Sequence, residues 1–274
     1  MKQIPNIVTL FNLAFGCLAI VCILQPGENI GYLDDGSILH INLPIRIAWG
    51  SVFIGCAALV DFFDGFIARL LKVDSPMGKQ LDSLADVVSF GVAPGMILYQ
   101  LLRMSYLREP SAFETSTLAF LPALLFPCAA AYRLAKFNID TRQVYGFIGV
   151  PTPPSALLVA SLPLVLFYDQ FGLAGWVVNY WVLYALTVIL SILMVSDFPV
   201  LSIKFKTYSF KDNWPKWLLA AVSLVSAFLL HWVAVPFVFA VYVALSLVVG
   251  SSSFAGRHRR PSRSSPGGDA AENP

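Results

Sequence analysis

The 274-residue chain predicts an all-α polytopic membrane bundle, and three observations carry that prediction. Hydrophobic residues make up 57% of the chain and charged residues only 12%, where a soluble domain carries about 25% charge. Mean hydropathy is +0.72. Apolar runs long enough to cross a bilayer, roughly 20 residues each, recur along the chain. The basic residues segregate between alternate connections in the way orientation in a membrane requires.

Eight apolar helices are expected, at about 6–24, 47–71, 80–102, 116–137, 153–168, 173–195, 215–231 and 232–250. Only Lys2 precedes the first run and no small-residue cleavage site follows it, which favours a retained helix over a cleaved leader. The seventh and eighth are expected to split near His231 and Pro236. With the N-terminus inside, 15 of the 18 Lys and Arg residues fall on the inner side, and Arg46, Arg103 and Arg108 remain outside. Both termini are therefore expected on the cytoplasmic side. Residues 1–250 are expected to form one transmembrane domain. Residues 251–274, rich in Ser, Pro, Gly and Arg, are expected to be a disordered cytoplasmic tail. The net charge of +2 gives no reason to expect nucleic acid. Cys17, Cys22, Cys56 and Cys128 form no C-x-x-C pair and read as small buried apolar residues.

The costly residues are more informative. Asp61, Asp64, Asp82 and Asp86 lie in or beside apolar runs, where a charge at the bilayer centre costs about 2.5–3.5 kcal/mol on insertion scales. Spacings of three and four put each pair on one helical face. Asp74, Ser75, Pro76 and Gly78 between them suit a turn, so two helices should form a hairpin with converging acidic faces. Four carboxylates without His or Cys make a hard oxygen site, suited to Mg²⁺, Mn²⁺ or Ca²⁺ rather than zinc. Such a set can hold two ions for phosphoryl displacement. Gly65 and Ala68 leave space on or next to the same face, and Arg69 supplies positive charge for phosphate. Taken singly, these residues also fit a proton relay in an acid-driven transporter or, at Gly65 and Ala68, plain helix packing.

Together they spell D-x-x-D-G-x-x-A-R, eight residues, then G-x-x-x-D-x-x-x-D, from Asp61 through Gly78 to Asp86. This pattern resembles the signature of the CDP-alcohol phosphatidyltransferase family, complete at all eight positions. The resemblance implies a six-helix membrane core, usually dimeric. It implies that Asp61, Asp64 and Asp82 bind two divalent cations, Mg²⁺ or Mn²⁺, and that Asp86 touches the second and acts as general base. It places Gly65, Ala68, Arg69, Ser75 and Gly78 at the CDP-linked donor.

Arg133-Leu-Ala-Lys-Phe-Asn138, Phe147-Ile-Gly-Val-Pro151-Thr-Pro-Pro154, Pro5-Asn-Ile-Val-Thr9-Leu-Phe-Asn12 and the stretch from Asp82 to Pro94 are similar to segments of the serine-accepting members of that family. They imply CDP-diacylglycerol and L-serine as substrates, phosphatidylserine and CMP as products, and a homodimer in a bacterial inner membrane, its active site facing the cytoplasm. An amino-acid carboxylate suits an arginine fork, and Arg133, at the inner end of its helix, could reach the site; snorkelling to headgroups is its other reading. Asn138 either orients the acceptor or caps a helix. Lys136 reads as structural. Asn6, Thr9 and Asn12 form a polar stripe that faces either the donor headgroup or a neighbouring helix. Other acceptors, glycerol 3-phosphate or an inositol phosphate, stay open. His40, His231 and His258 fall outside this constellation, and no Ser-His or Cys-His pair suggests a covalent enzyme intermediate.

Overall fold

In lipid the backbone must satisfy its own N–H and C=O groups, so apolar runs become helices. A computed structural model of the chain describes residues 4–25, 45–71, 75–107, 115–139, 147–197, 199–200 and 213–257. Its long helices are α1 (Ile4–Leu24), α2 (Ile45–Leu71), α3 (Pro76–Tyr106), α4 (Thr117–Ile139), α5 (Thr152–Tyr168), α7 (Tyr180–Val195), α8 (Trp214–Leu230) and α9 (Ala234–Arg257), with a short α6 (Ala174–Val177) before α7. Two-residue strands, β1 (Phe147–Ile148) and β2 (Pro199–Val200), pair antiparallel.

Among the described residues five stretches are long and apolar enough to cross a membrane, and α5 and α7 are shorter apolar helices. The last stretch, Trp214–Val248, breaks into α8 and α9 where His231 takes φ 50° in a short 3₁₀ turn, close to the expected split. Outward faces are apolar throughout: Leu59, Leu224, Phe228 and Val248 are all strongly exposed. Patches of this kind are untenable in water, and the chain is an integral membrane protein.

Three expectations change. The sixth run does not start at 173; Asp169 and α6 form a turn, and Asn179 caps α7 by accepting from the N–H groups of Trp181 and Val182. The last helix continues past 250 to Arg257; residues 258–274 lie outside the described set. Cys17 and Cys128 are exposed on the outside of the bundle rather than buried, a position lipid tolerates because a thiol is nearly as apolar as its neighbours.

α1 packs along α2 and α3, α2 packs on α5, and α4 packs on α7. α3 begins at Ser75, whose Oγ accepts from the Gly78 N–H at 2.9 Å, with Pro76 in the first turn. It then widens into a π turn over Val87–Val92, closed by the Ala93 N–H reaching the Val88 carbonyl. Pro94 explains this. In α register its ring would meet the Phe90 carbonyl and its missing N–H would break the ladder. The extra residue shifts the helical phase directly after Asp86.

Two glycines set the geometry around this turn. A Cβ at Gly16 would stand 2.9 Å from Ser89 Cα, so α1 touches the π turn almost backbone to backbone. There Ser89 Oγ donates to the Asn12 carbonyl at 3.0 Å. Gly16→Val is expected to cost about 1–3 kcal/mol through overpacking, read as a lower melting temperature in detergent; an unchanged value rules out the close approach. Gly149 has φ +73°, and a Cβ there would meet the Met194 carbonyl oxygen at 2.6 Å. With Val150 N–H donating to the Leu193 carbonyl at 3.0 Å, it docks the segment before α5 onto the end of α7. The stretch 147–154 is thus first a structural device that fixes where Thr152 stands.

Candidate active site

Asp61 and Asp64 project from α2, and Asp82 from α3. One carboxylate oxygen from each lies within 4.8 Å of the others. The expected convergence of the two acidic faces is present. Asp64 is buried, and its Oδ2 has no hydrogen-bond partner. Among the described residues no Lys or Arg pairs with these carboxylates. Three like charges brought together inside an apolar bundle cost several kcal/mol each unless compensated. An oxygen-only donor set with an orphaned buried oxygen fits a hard divalent cation.

Asp86 lies one turn further along α3 and outside this three-carboxylate group. It is buried, and the charges of Asp61, Asp82 and Asp64 bear on it. Asn12 Nδ2 donates to its Oδ1 at 3.3 Å, while Asn12 Oδ1 is buried without a partner. The polar stripe of α1 therefore faces the acidic hairpin: Asn12 is at Asp86, Thr9 is buried near Asp64, and Asn6 lies beside Gly78.

The donor-side residues divide. A Cβ at Gly65 would meet nothing within 4 Å, so helix packing does not require this glycine and the space beside Asp64 stays open. Arg69 is exposed at the end of α2, its Nε donating to the Gly65 carbonyl at 2.9 Å. Ser75 and Gly78 are accounted for by the cap of α3; a Cβ at Gly78 would crowd Ser75 Oγ at 2.9 Å and Asn6 Oδ1 at 3.1 Å. Ala68 lies on α2, and its side chain falls outside the described set.

Arg133 is buried, which removes the snorkelling reading. Its Nη1 donates to Thr152 Oγ1 at 2.8 Å, its guanidinium carbon lies 5.8 Å from the centre of the Phe137 ring, and its Nε is buried with no partner. Asp86 is the carboxylate that bears on its charge. Asn138 does not act as a simple cap: its Nδ2 donates to Ser83 Oγ at 2.7 Å, tying α4 to the residue beside Asp82. Lys136 pairs with Asp197 at 2.8 Å, as a structural residue should. Sequence reasoning missed Thr152 as a partner of Arg133. The proline-rich start of α5 was the signal for it.

A family model described as CDP-alcohol phosphatidyltransferase matches residues 2–193. The chain is similar to a Mycobacterium leprae protein named CDP-diacylglycerol–serine O-phosphatidyltransferase, 33% identical over 195 residues that cover 66% of this chain and 60% of that protein. A Bacillus subtilis protein of the same name is 32% identical over 184 residues, covering 65% of this chain and 88% of its own length. One from Methanocaldococcus jannaschii is 31% identical over 194 residues, covering 71% of each chain. The match thus spans less than two thirds of the mycobacterial relative and most of the Bacillus one.

Proposed function

The chain belongs to the CDP-alcohol phosphatidyltransferase family, and from that premise we propose that it transfers the phosphatidyl group of CDP-diacylglycerol to the hydroxyl of L-serine, releasing CMP. The observation that carries this reading is the pairing of two features in one bundle interior. Three carboxylates from α2 and α3 share a cluster, and a buried arginine on α4 bears on Asp86 beside it.

Asp61, Asp64 and Asp82, with Asp86, would hold two divalent cations, Mg²⁺ or Mn²⁺. When bound, these supply Lewis-acid stabilisation of the charge on the donor pyrophosphate. The open face at Gly65 admits the donor headgroup, and Arg69 at the end of α2 faces its phosphates. Ser75 and Gly78 hold the start of α3 beside it, and Ala68 belongs to the same face of α2. Arg133 takes the serine carboxylate, for which its planar fork is suited. Asn138 acts through Ser83 to hold α3 in register.

Asp86 accepts the serine hydroxyl proton, which is needed because that hydroxyl does not ionise at neutral pH. The serine oxygen bonds to the phosphorus bearing diacylglycerol. The bond from that phosphorus to the bridging oxygen breaks, and its electron pair leaves with CMP. Asn12 holds Asp86 in place through Oδ1. The acyl chains remain in lipid, and the site opens to the cytoplasmic side of a bacterial inner membrane, with both termini on that side. A homodimer is the proposed assembly.

Serine is favoured over a phosphorylated acceptor because, among the described residues, buried basic groups near Asp86 are sparse. Lys136 is engaged with Asp197, leaving Arg133 as the buried cation near Asp86. The test is CMP release by the purified protein with CDP-diacylglycerol and Mn²⁺, over a panel of L-serine, glycerol 3-phosphate and inositol 1-phosphate. Release with serine and formation of phosphatidylserine are expected. Release with another acceptor alone overturns the serine assignment; solute flux across sealed vesicles without CMP release favours a transporter. Arg133→Ala is expected to raise KM for serine about tenfold or more, the loss of a charged hydrogen bond, with little change in KM for CDP-diacylglycerol. Equal effects on both would make Arg133 structural.

A further inference from the structure

α4 and α7 pack side by side, yet between them they leave an apolar cleft of about 490 Å³ on the outside of the bundle. That volume falls within the range of ligand-binding clefts, about 300–1,000 Å³. Leu125, Cys128 and Ala129 of α4 form one wall, and Val188, Ile192 and Val195 of α7 form the other. Leu125, Cys128, Val188 and Ile192 are exposed, so the cleft faces lipid. No carboxylate of the acidic hairpin lines it. Cys128 and the buried Arg133 are five residues apart, which puts them about 140° apart round the helix. The cleft and the interior site therefore use different faces of α4.

Two polar groups distinguish this cleft from plain lipid-facing surface. Ser191 lines it, and its Oγ is buried with no hydrogen-bond partner. Thr187 and Ser196 nearby instead donate to the carbonyls of Leu183 and Leu193. Ser196 also lines the cleft, and the next residue, Asp197, pairs with Lys136 of α4 at 2.8 Å. Both partners keep exposed surface, 26% for Lys136 and 72% for Asp197. This is the end of the bundle that carries the acidic hairpin, because Asn138, two residues beyond Lys136, donates to Ser83.

An apolar cleft that ends in a cation and an anion has the polarity of a zwitterionic phospholipid. The pair is net neutral and holds no surplus charge to draw an anionic headgroup. A lipid phosphate accepts charge-assisted hydrogen bonds from Lys136 Nζ, and a primary ammonium donates them to Asp197. A quaternary ammonium has no N–H to donate, and a glycerol headgroup has no cation. Ser191 stands about one turn before the end of α7, on the chain side of such a headgroup, where the ester carbonyls of a lipid can accept from it.

We propose that the α4–α7 cleft holds one resident phospholipid of the phosphatidylethanolamine type. An acyl chain lies in the cleft, an ester carbonyl meets Ser191, the phosphate meets Lys136 and the ammonium meets Asp197. This lipid is neither donor nor product of the reaction proposed above, and its site does not depend on which alcohol is the acceptor.

The experiment takes the full chain in detergent with a chelator and no CDP-diacylglycerol. Palmitoyl-oleoyl phosphatidylethanolamine, phosphatidylcholine or phosphatidylglycerol is added, and bound lipid is counted by native mass spectrometry. Wild type is expected to bind phosphatidylethanolamine about tenfold tighter than the other two, the effect of a charge-assisted hydrogen bond. Asp197→Asn keeps the shape and removes the charge, and should bring phosphatidylethanolamine down to the level of phosphatidylcholine. Cys128→Phe and Val188→Phe fill the cleft from opposite walls, at positions where the lipid-facing surface tolerates a larger apolar side chain. Each should lose most of the bound phosphatidylethanolamine. Equal binding of the three lipids by wild type overturns the proposal, as does an Asp197→Asn variant that keeps the preference. Wild-type binding by the two filled variants overturns it too. Filled variants with altered oligomeric mass and unaltered lipid binding identify a second copy of the chain as the occupant, and the lipid assignment fails.

Discussion

Asp86→Asn is expected to lower CMP release by about 10³-fold, within the range a positioned general base supplies, while the bundle stays assembled. Asparagine keeps the Oδ1 that accepts from Asn12, so the contact between α1 and α3 survives. It removes a charge on which those of Asp61, Asp82 and Asp64 converge. Without added metal, the melting temperature of the variant should therefore equal or exceed that of wild type. The two readouts pull apart what a single assay confounds: a misfolded variant loses both, a lost base only turnover. Near-normal turnover with an intact melting curve removes Asp86 from the proton transfer. The position outside the three-carboxylate group gives the assignment its content, since a residue that only bound metal would be expected inside it.

Most of the fold was legible because lipid makes hydropathy decisive. The expected start at 153 became Thr152, and the seventh run at 215–231 became Trp214–Leu230. The acidic cluster was legible because carboxylates are rare in apolar runs and their spacing fixed a common face. Three features were not, each for a physical reason. The π turn after Asp86 depends on how Pro94 is accommodated, and a kink or a break would have met the same steric demand. The sixth run read as a continuous span because its first residues, Leu173 to Val178, are all apolar or small; the turn at Asp169 overrides that composition. Arg133 had two readings at the sequence level, since an arginine at a helix end can snorkel or turn inward. Only the position of Thr152, set by Gly149 and Val150 against the end of α7, decides between them.

Removing divalent metal should abolish CMP release, with Mn²⁺ or Mg²⁺ restoring it, and the same titration should stabilise the protein independently of turnover. Asp61, Asp64 and Asp82 face one another, no Lys or Arg among the described residues pairs with them, and Asp64 Oδ2 has no partner. A ligand that binds only the folded state at a hundred times its Kd contributes about 2.7 kcal/mol, which for a chain of this size corresponds to a rise of about 5–10 °C in melting temperature. Asp64→Asn should lose most of that rise, because it withdraws a carboxylate oxygen and removes one of the three clustered negative charges available to the ion. The same substitution should stabilise the metal-free protein slightly by easing repulsion, so wild type and variant should cross as metal is added. A crossing of this kind is hard to obtain from a proton relay, where protons rather than divalent ions relieve the carboxylates and added Mn²⁺ has nothing to bind. Should the melting temperature ignore Mn²⁺ while CMP release survives chelation, the carboxylate cluster serves some other chemistry and the metal assignment fails with it.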